Sequence, residues 1–330
     1  MAATRLLPGL GFLASVAGVA HLVGTVTPLH SLLAAIALGA VVANAVGVPS
    51  VFRPGVDTYK LWLEVGIVLM GVRVSLDAIV ESGPALALAV GGVVAFSLVA
   101  VELLARGVFG LQDRLGSLLA AGTSVCGVSA VVAVAGAVRA DESHVAYATS
   151  TILVFDAVTL FAYPALGHLL GLPDRVFGVW AGLSMFSTGP VTAAGFAYSE
   201  VAGQWATVTK LARNVLLGGL VVAYSLAYAE TSAADDGGFG TLARLWDGFP
   251  KFVLGFVSLV LVASSGALGD ADVARIGAAY HWAFLVAFAG LGTSIEVGEL
   301  RGTGLRPVAL VGVALAVVSA ISLGVASVLF

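Results

Sequence analysis

Eleven long apolar segments, joined by short linkers, run from one end of this chain to the other: 5–24, 30–48, 61–80, 85–107, 116–138, 145–169, 175–199, 204–228, 250–267, 274–298 and 306–328. Each is near the roughly 17–25 residues that a helix needs to cross a bilayer. In hydrocarbon, a helix satisfies its own backbone hydrogen bonds, whereas an open sheet does not. Composition agrees. Of 330 residues, 59% are hydrophobic and 10% charged, against about 25% charged in soluble domains. The chain reads as an all-α polytopic membrane protein, one integral membrane domain over 1–330. Nine of the eleven segments are expected to be continuous transmembrane helices. The other two, 116–138 and 175–199, are expected to be broken or re-entrant.

Several function classes drop out at this point. The net charge of −4 and the absence of a basic tract argue against a nucleic-acid partner. A lone cysteine, Cys126, makes neither an intramolecular disulfide nor a cysteine-rich metal site. His21, His144, His168 and His281 are scattered without ligand spacing, so no metal is expected. No nucleotide-binding motif and no nucleophile–base pattern is visible, so neither a cofactor nor an enzymatic reaction is expected. The N-terminal stretch has no clear cleavage site and reads as the first helix.

Charge placement orients the chain. With all segments crossing, one side collects Arg5, Arg53, Lys60, Arg106, Arg114, Arg175, Arg244, Lys251, Arg301 and Arg306, and the other only Arg139 and Arg275. By the positive-inside rule the N-terminus is cytoplasmic. If 116–138 and 175–199 both turn back, Arg139 and Arg175 exchange sides and the score is unchanged. If only one does, the asymmetry shrinks, so the two segments behave alike. The acidic, Gly-rich linker 230–248 is expected in solvent, with Trp246 marking re-entry at the interface.

They also look alike. "GLQDRLGSLLAAGTS" (110–124) and "GLPDRVFGVWAGLS" (171–184) share Gly-Leu-x-Asp-Arg and then Ala-Gly-x-Ser, and "ATSTILVFDAVTLFAYPAL" (148–166) aligns with "ATVTKLARNVLLGGLVVAYSL" (206–226). The pattern predicts an internal duplication, 110–169 and 171–228, each unit a broken segment followed by a continuous span. A weaker similarity links 71–83 with 292–304.

Each duplicated unit interrupts an apolar run with small polar residues: "GTSVCGVSA" (122–130) and "SMFSTGPVTAAG" (184–195). Irregular backbone at membrane depth is tolerated where it is buried in protein or lines a cavity. Paired discontinuous helices in secondary transporters place half-helix N-termini at the midplane, where they bind anions. Thr123, Ser124, Ser129, Ser187 and Thr188 are candidate neutral ligands. Cys126, Gly127, Ser184, Gly189 and Pro190 complete the two breaks, with Pro190 suited to the start of a half-helix. The competing reading is close helix packing through small residues.

Ionisable residues at membrane depth are expensive and usually functional. Lys210 and Arg213 share a face at i and i+3, and Asp156 stands in the duplicated place of Asn214. One reading makes Arg213, helped by Lys210, the counter-charge for an anion, with Asp156 as their partner while the site is empty. The other is a static Asp–Arg pair joining two helices. Lys210 also has the reach to snorkel to the interface. Arg73 and Asp77, at i and i+4, read as a structural pair, and nothing connects Glu64 or Glu102 with the repeats.

On these residues the chain resembles the sulfate exporter family of prokaryotic inner-membrane proteins. The family's "GTSICGASAI" is matched by "GTSVCGVSAV" (122–131), and its Lys-x-x-Arg-Asn by "KLARNVLL" (210–217). Segments 54–76 and 284–307 also resemble family segments. The resemblance implies export of sulfate or a related oxyanion or sulfonate from the cytoplasm. It also implies a wider kinship with bile-acid, arsenite and auxin transporters, which use broken helices and alternating access. One departure stands out. Where the family pattern reads Ser-Ile-His-Asp-Thr, this chain has "SMFST" (184–188), so the His-Asp pair is replaced by Phe186 and Ser187. That loss leaves proton coupling through the motif without its acid.

The expectation is a secondary transporter of a small anion in a prokaryotic inner membrane. Paired re-entrant hairpins in inverted orientation are favoured, because crossing segments in direct repeat would not bring equivalent tips face to face. Thr123, Ser124, Cys126, Gly127, Ser129, Ser184, Ser187, Thr188, Gly189, Pro190, Lys210, Arg213 and Asn214 would line the site, with Asp156 as charge partner. The alternative is an ion channel using the same breaks as a filter. Apart from lipid, a second copy of the chain, as a homodimer, is a candidate partner.

Overall fold

A computed structural model describes residues 2–27, 30–228, 250–295 and 305–330; the linker 230–248, with Arg244 and Trp246, lies outside them, as does most of 292–304. Among the described residues every regular element is helical. Six helices are long and apolar enough to cross a membrane: Arg5–Val26, Val80–Val108, Glu142–Leu169, Glu200–Ala227, Asp270–Thr293 and Leu305–Leu329.

The expectation of nine continuous helices is thus met only in part among the described residues. Segments 30–48, 61–80 and 250–267 fold as α2 (Ser31–Ala45, 15 residues), α4 (Tyr59–Met70, 12 residues) and α13 (Phe252–Ser264, 13 residues). At about 1.5 Å per residue these fall short of a hydrocarbon core roughly 30 Å thick. The cause in 61–80 is local. After α4 the backbone tightens into one 3-10 turn at Gly71–Arg73 and goes extended at Val74. The next helix, α5, starts at Leu76 and runs to Leu103 through Pro84. Hydropathy sees one apolar run where the backbone makes a turn.

The chain packs as two compact units, Met1–Ser82 with Lys251–Gly298, and Gly83–Pro250 with Glu299–Phe330. In the first, α14 (Asp270–Thr293) packs against α1 (Ala2–Val26), α2 and α4, while the short α3 (Arg53–Val56) lies on α1. Glycines set these approaches. A Cβ on Gly39 would overlap the Ala289 carbonyl and lie 3.1 Å from the Cα of Gly292, and one on Gly292 would overlap the Ile36 carbonyl. Such small-residue contacts are how helices associate in lipid, which gives apolar side chains no reason to leave it. Gly39→Val and Gly292→Val are each expected to destabilise the protein by about 1–3 kcal/mol through overpacking, read as a lowered melting temperature in detergent. Arg73 lies over Gly277 of α14 and forms no ion pair with Asp77.

The second unit carries both copies of Gly-Leu-x-Asp-Arg, at 110–114 and 171–175. Two half-helix pairs, α6 (Asp113–Ser124) with α7 (Val128–Ala137) and α9 (Asp174–Ser184) with α10 (Thr188–Tyr198), alternate with α8 (Glu142–Leu169) and with α11 (Glu200–Val215) continued by α12 (Leu217–Ala227). The shared Gly-Leu-x-Asp-Arg folds the same way twice. Gly110 and Gly171 both take positive φ, +58° and +61°, a conformation that costs glycine little. Gln112 and Pro173 follow in extended geometry as N-caps, and Asp113 and Asp174 open their helices, where an acid complements the helix dipole.

Glycines then lock α11 into the second pair. A Cβ on Gly178 or Gly182 of α9 would press on Ala202, Trp205 and Ala206, or on Ala206 and Thr209. Gly195 of α10 similarly meets Gly203 and Ala206 of α11. On the other side of α9, Trp180 Nε1 donates to the Ser319 carbonyl (3.0 Å) and hydroxyl (3.1 Å) of α15 (Leu305–Leu329).

Candidate functional site

The two helix pairs break by different means. After α6, Val125 has φ −117° and ψ −79°, and Gly127 has φ +65° and ψ −132° before α7 begins. That last combination is reserved in practice for glycine. After α9 no positive φ is needed: Met185 and Ser187 are extended, with ψ near 157° and 148°, and α10 starts at Thr188. Pro190 is the third helical residue rather than the first. It is still within the turn whose N–H groups have no intrahelical partner, so its missing donor costs nothing. The breaks meet, since a Cβ on Gly127 would collide with the Ser187 hydroxyl.

At the meeting point the C-terminal ends of α6 and α9 expose carbonyls that a helix cannot satisfy itself. Two cations of α11 satisfy them. Lys210 Nζ donates to the carbonyls of Val125 (2.6 Å) and Met185 (3.1 Å). Arg213 donates from Nη1 to Gly182 and Met185 (both 2.9 Å). From Nη2 it reaches Thr123 (3.1 Å) and Ser124 (2.8 Å), and from Nε the same Ser124 carbonyl (3.2 Å). Both side chains are 0% exposed. Cations belong at helix C-termini, where the dipole is negative. The planar guanidinium fork lets one residue hold both half-helices.

This differs from both readings of the charges. Arg213 pairs with no carboxylate, its N–H groups being turned to backbone, and Lys210 points inward instead of snorkelling. Asp156, 3% exposed on α8, approaches the other kind of helix end. Its Oδ1 accepts from the Ser187 N–H (3.0 Å) at the head of α10, while its buried Oδ2 has no hydrogen-bond partner. The carboxylate thus occupies a place where a bound anion would be favoured. Beside it, Asn214 Nδ2 donates to Thr188 Oγ1 (3.0 Å) and leaves a buried Oδ1 without a partner. Asp156 and Asn214 converge on two adjacent residues, Ser187 at the cap of α10 and Thr188 at its start.

The hydroxyls divide into two groups. Thr123 donates to Leu119 and Ala120 carbonyls, Ser184 to the Trp180 carbonyl, and Ser124 to Ser97 of α5. These three are spent within the scaffold and contribute through their backbones. Ser187 and Thr188 are half-buried at the head of α10, and Ser129 is exposed on the first turn of α7. Gly189 and Pro190 are buried in the first turn of α10, and Cys126 is a buried free thiol at the first break. Phe186, standing where the family pattern has histidine, is buried with its ring 6.4 Å from that of Phe155.

Two features were not visible from spacing. Ser97 carries no sequence signal that ties it to the break. Glu102 belongs to a separate network: its Oε1 accepts from Ser117 and Tyr224 (both 2.7 Å), and its Oε2 pairs with Arg106 (2.9 Å) beside a π-helical turn at Leu104–Val108. Among the described residues the fully buried charged side chains are Asp156, Lys210 and Arg213, which sum formally to one positive charge.

Comparison with known proteins finds related sequences in several bacteria. Residues 8–311 match the family model described as "Conserved hypothetical protein 698". A UPF0324 membrane protein of Nitratidesulfovibrio vulgaris is 35% identical over 92% of this chain and 88% of its own length. The UPF0324 membrane protein TauZ of Paracoccus pantotrophus is 31% identical over 92% of this chain and 90% of its own, and one from Agrobacterium fabrum is 30% identical over 90% and 83%. No solved structure matches the chain.

Proposed function

The chain belongs to the conserved hypothetical protein 698 family, the UPF0324 membrane proteins, and from that membership we propose that it is a secondary transporter of a small anion. In this reading it works by alternating access in the inner membrane, with its N-terminus in the cytoplasm. The cargo class is sulfate or a related oxyanion or sulfonate, exported from the cell, as the sequence resemblance implies. The observation that carries the reading is the meeting of two broken helix pairs around a buried cluster of net formal charge +1. Charge without a counter-charge is costly inside a membrane protein, and an anion at the head of α10 would balance it.

The parallel folding of 110–169 and 171–228 favours an inverted duplication whose tips face each other. Free N–H groups of Thr188 and Gly189, the Thr188 and Ser187 hydroxyls and the first turn of α7 with Gly127 and Ser129 supply donors. Lys210 and Arg213 act at one remove, fixing the half-helices and lending their charge. No covalent step is involved, and the role of cargo falls to a free small anion.

Thermal unfolding against sulfate, sulfite, thiosulfate, taurine, phosphate and chloride tests this, since a ligand of the folded state raises the melting temperature by mass action. One anion should give a saturable rise. Thr188→Val should weaken that anion by about tenfold, as expected for loss of one hydrogen bond of about 1.4 kcal/mol; it also leaves Asn214 Nδ2 without its acceptor, so the saturable rise is read from the variant's own, lower ligand-free melting temperature. Counterflow of the same anion in proteoliposomes should saturate. Flux rising without limit would instead favour a channel, and no shift with any anion would remove the anion reading.

A further inference from the structure

We propose that Asp156 is the proton-carrying residue of the crossover: it gives up the Ser187 N–H to the incoming anion by taking a proton, so that one proton travels with each anion. The inference rests on the transport reading above and adds the coupling ion to it. Its basis is geometric. One carboxylate oxygen caps the head of α10 at 3.0 Å, and the other is buried with no hydrogen-bond partner. An orphaned, buried carboxylate oxygen is a costly feature that a transient proton would relieve.

The Ser187 hydroxyl lies beside the carboxylate, and among the described residues no cation is paired with that oxygen. α8 packs against α6, α7, α10 and α15. Their ionisable residues are Asp113 and Arg114 at the start of α6, Tyr198 at the end of α10 and Arg306 at the start of α15, while α7 has none. On α8 itself Glu142, His144, Tyr147 and His168 lie toward its ends, and Tyr163 stands seven residues on. Cys126 is buried in the facing break. The Lys210 ammonium of α11 interacts with Asp156 electrostatically, but it is hydrogen-bonded to Val125 and Met185 and makes no ion pair with the acid.

The site also explains the altered motif. Where the resembling family pattern has an acid, this chain has Ser187, and α8 delivers the carboxylate of Asp156 to that residue's own N–H. The acid has a new attachment to the backbone and the same neighbourhood.

The step balances simply. A hydronium ion on the loading side gives its proton to Asp156 Oδ2, and the hydrogen bond from Ser187 N–H to Oδ1 opens. The N–H then donates to the anion. On the far side the anion leaves, the proton returns to water, and Oδ1 recaps α10. A divalent oxyanion moving out with one proton still carries net negative charge outward. An inside-negative membrane potential favours that direction by about 2.3 kcal/mol per charge per 100 mV.

The test uses the full chain reconstituted in phosphatidylethanolamine–phosphatidylglycerol vesicles, with radiolabelled sulfate and, separately, taurine as probes. Counterflow at equal pH reads transport without net proton movement, and net flux with an acidified source side reads coupling. Wild-type protein should show both, and in Asp156→Asn the net flux, measured against that variant's own counterflow, should lose its acceleration by acid. Asp156→Ser combined with Ser187→Asp, which returns the acid to the head of α10, should regain it. It also serves as the deciding variant if Asp156→Asn does not fold. Acceleration that persists in Asp156→Asn, or is absent from the wild type or the double variant, overturns the coupling while counterflow upholds transport. Absence of wild-type counterflow with both probes overturns transport and the coupling with it.

Discussion

Replacing Arg213 by methionine is expected to cost at least about 3 kcal/mol of stability, since it leaves three buried carbonyls without their side-chain donor at about 1–3 kcal/mol each. Folded proteins are stable by only about 5–15 kcal/mol, so the variant should be barely foldable, with a steep fall in melting temperature and poor recovery from the membrane. The reason is what remains behind. Arg213 is the side-chain donor to the carbonyls of Thr123, Ser124 and Gly182, and it shares Met185 with Lys210. A methionine fills the volume and satisfies none of them. Lys210→Met should be milder, because only the Val125 carbonyl then loses its side-chain donor. Arg213→Lys should fall between wild type and Arg213→Met, since an ammonium cannot span both half-helix ends with a rigid fork. A well-folded Arg213→Met that had merely lost anion binding would reverse the assignment, making Arg213 a ligand rather than the clamp. The ranking of the three melting temperatures decides it.

The two cations show what a sequence reveals about such a site. Lys210 and Arg213 stand out in a span otherwise poor in charge, and their shared face follows from spacing. Their partners do not. Every residue has a carbonyl, so nothing in the letters marks Ser124 or Met185 as acceptors. From the letters, Asp156 is therefore the visible candidate for an ion pair with them. The duplicated Gly-Leu-x-Asp-Arg was legible because it encodes backbone directly: a positive-φ glycine, an extended cap and an acid at the first helical residue. Helix lengths were less so. Hydropathy averages across Gly71–Val74, where the chain turns, because one charged residue, Arg73, among apolar neighbours does not end an apolar run. The placement of Asp156 at Ser187 needed tertiary structure, because the contact joins α8 to the head of α10, 31 residues further along the chain.

Gly127 is the position where a single methyl group is expected to do the most damage for its size. With φ +65° and ψ −132° the residue lies where a side chain carries about 1–3 kcal/mol of backbone strain. The Cβ of alanine would also run into the Ser187 hydroxyl and lie 3.1 Å from the Cβ of Ser187, adding overpacking of about 1–3 kcal/mol. The two contributions can be separated. Ser187→Gly removes the steric partner but leaves the backbone conformation of Gly127 as it is. In a double-mutant cycle the coupling between Gly127→Ala and Ser187→Gly should therefore be favourable by about 0.5–3 kcal/mol, with the unrelieved remainder measuring the strain at residue 127. Zero coupling would mean that the breaks do not touch. The cycle also bears on function, because the same contact holds the start of α7 against the start of α10. A side chain that wedges them apart should slow counterflow even under conditions where the variant remains folded, whereas Gly39→Val, in the other compact unit, should lower stability without that added loss of rate.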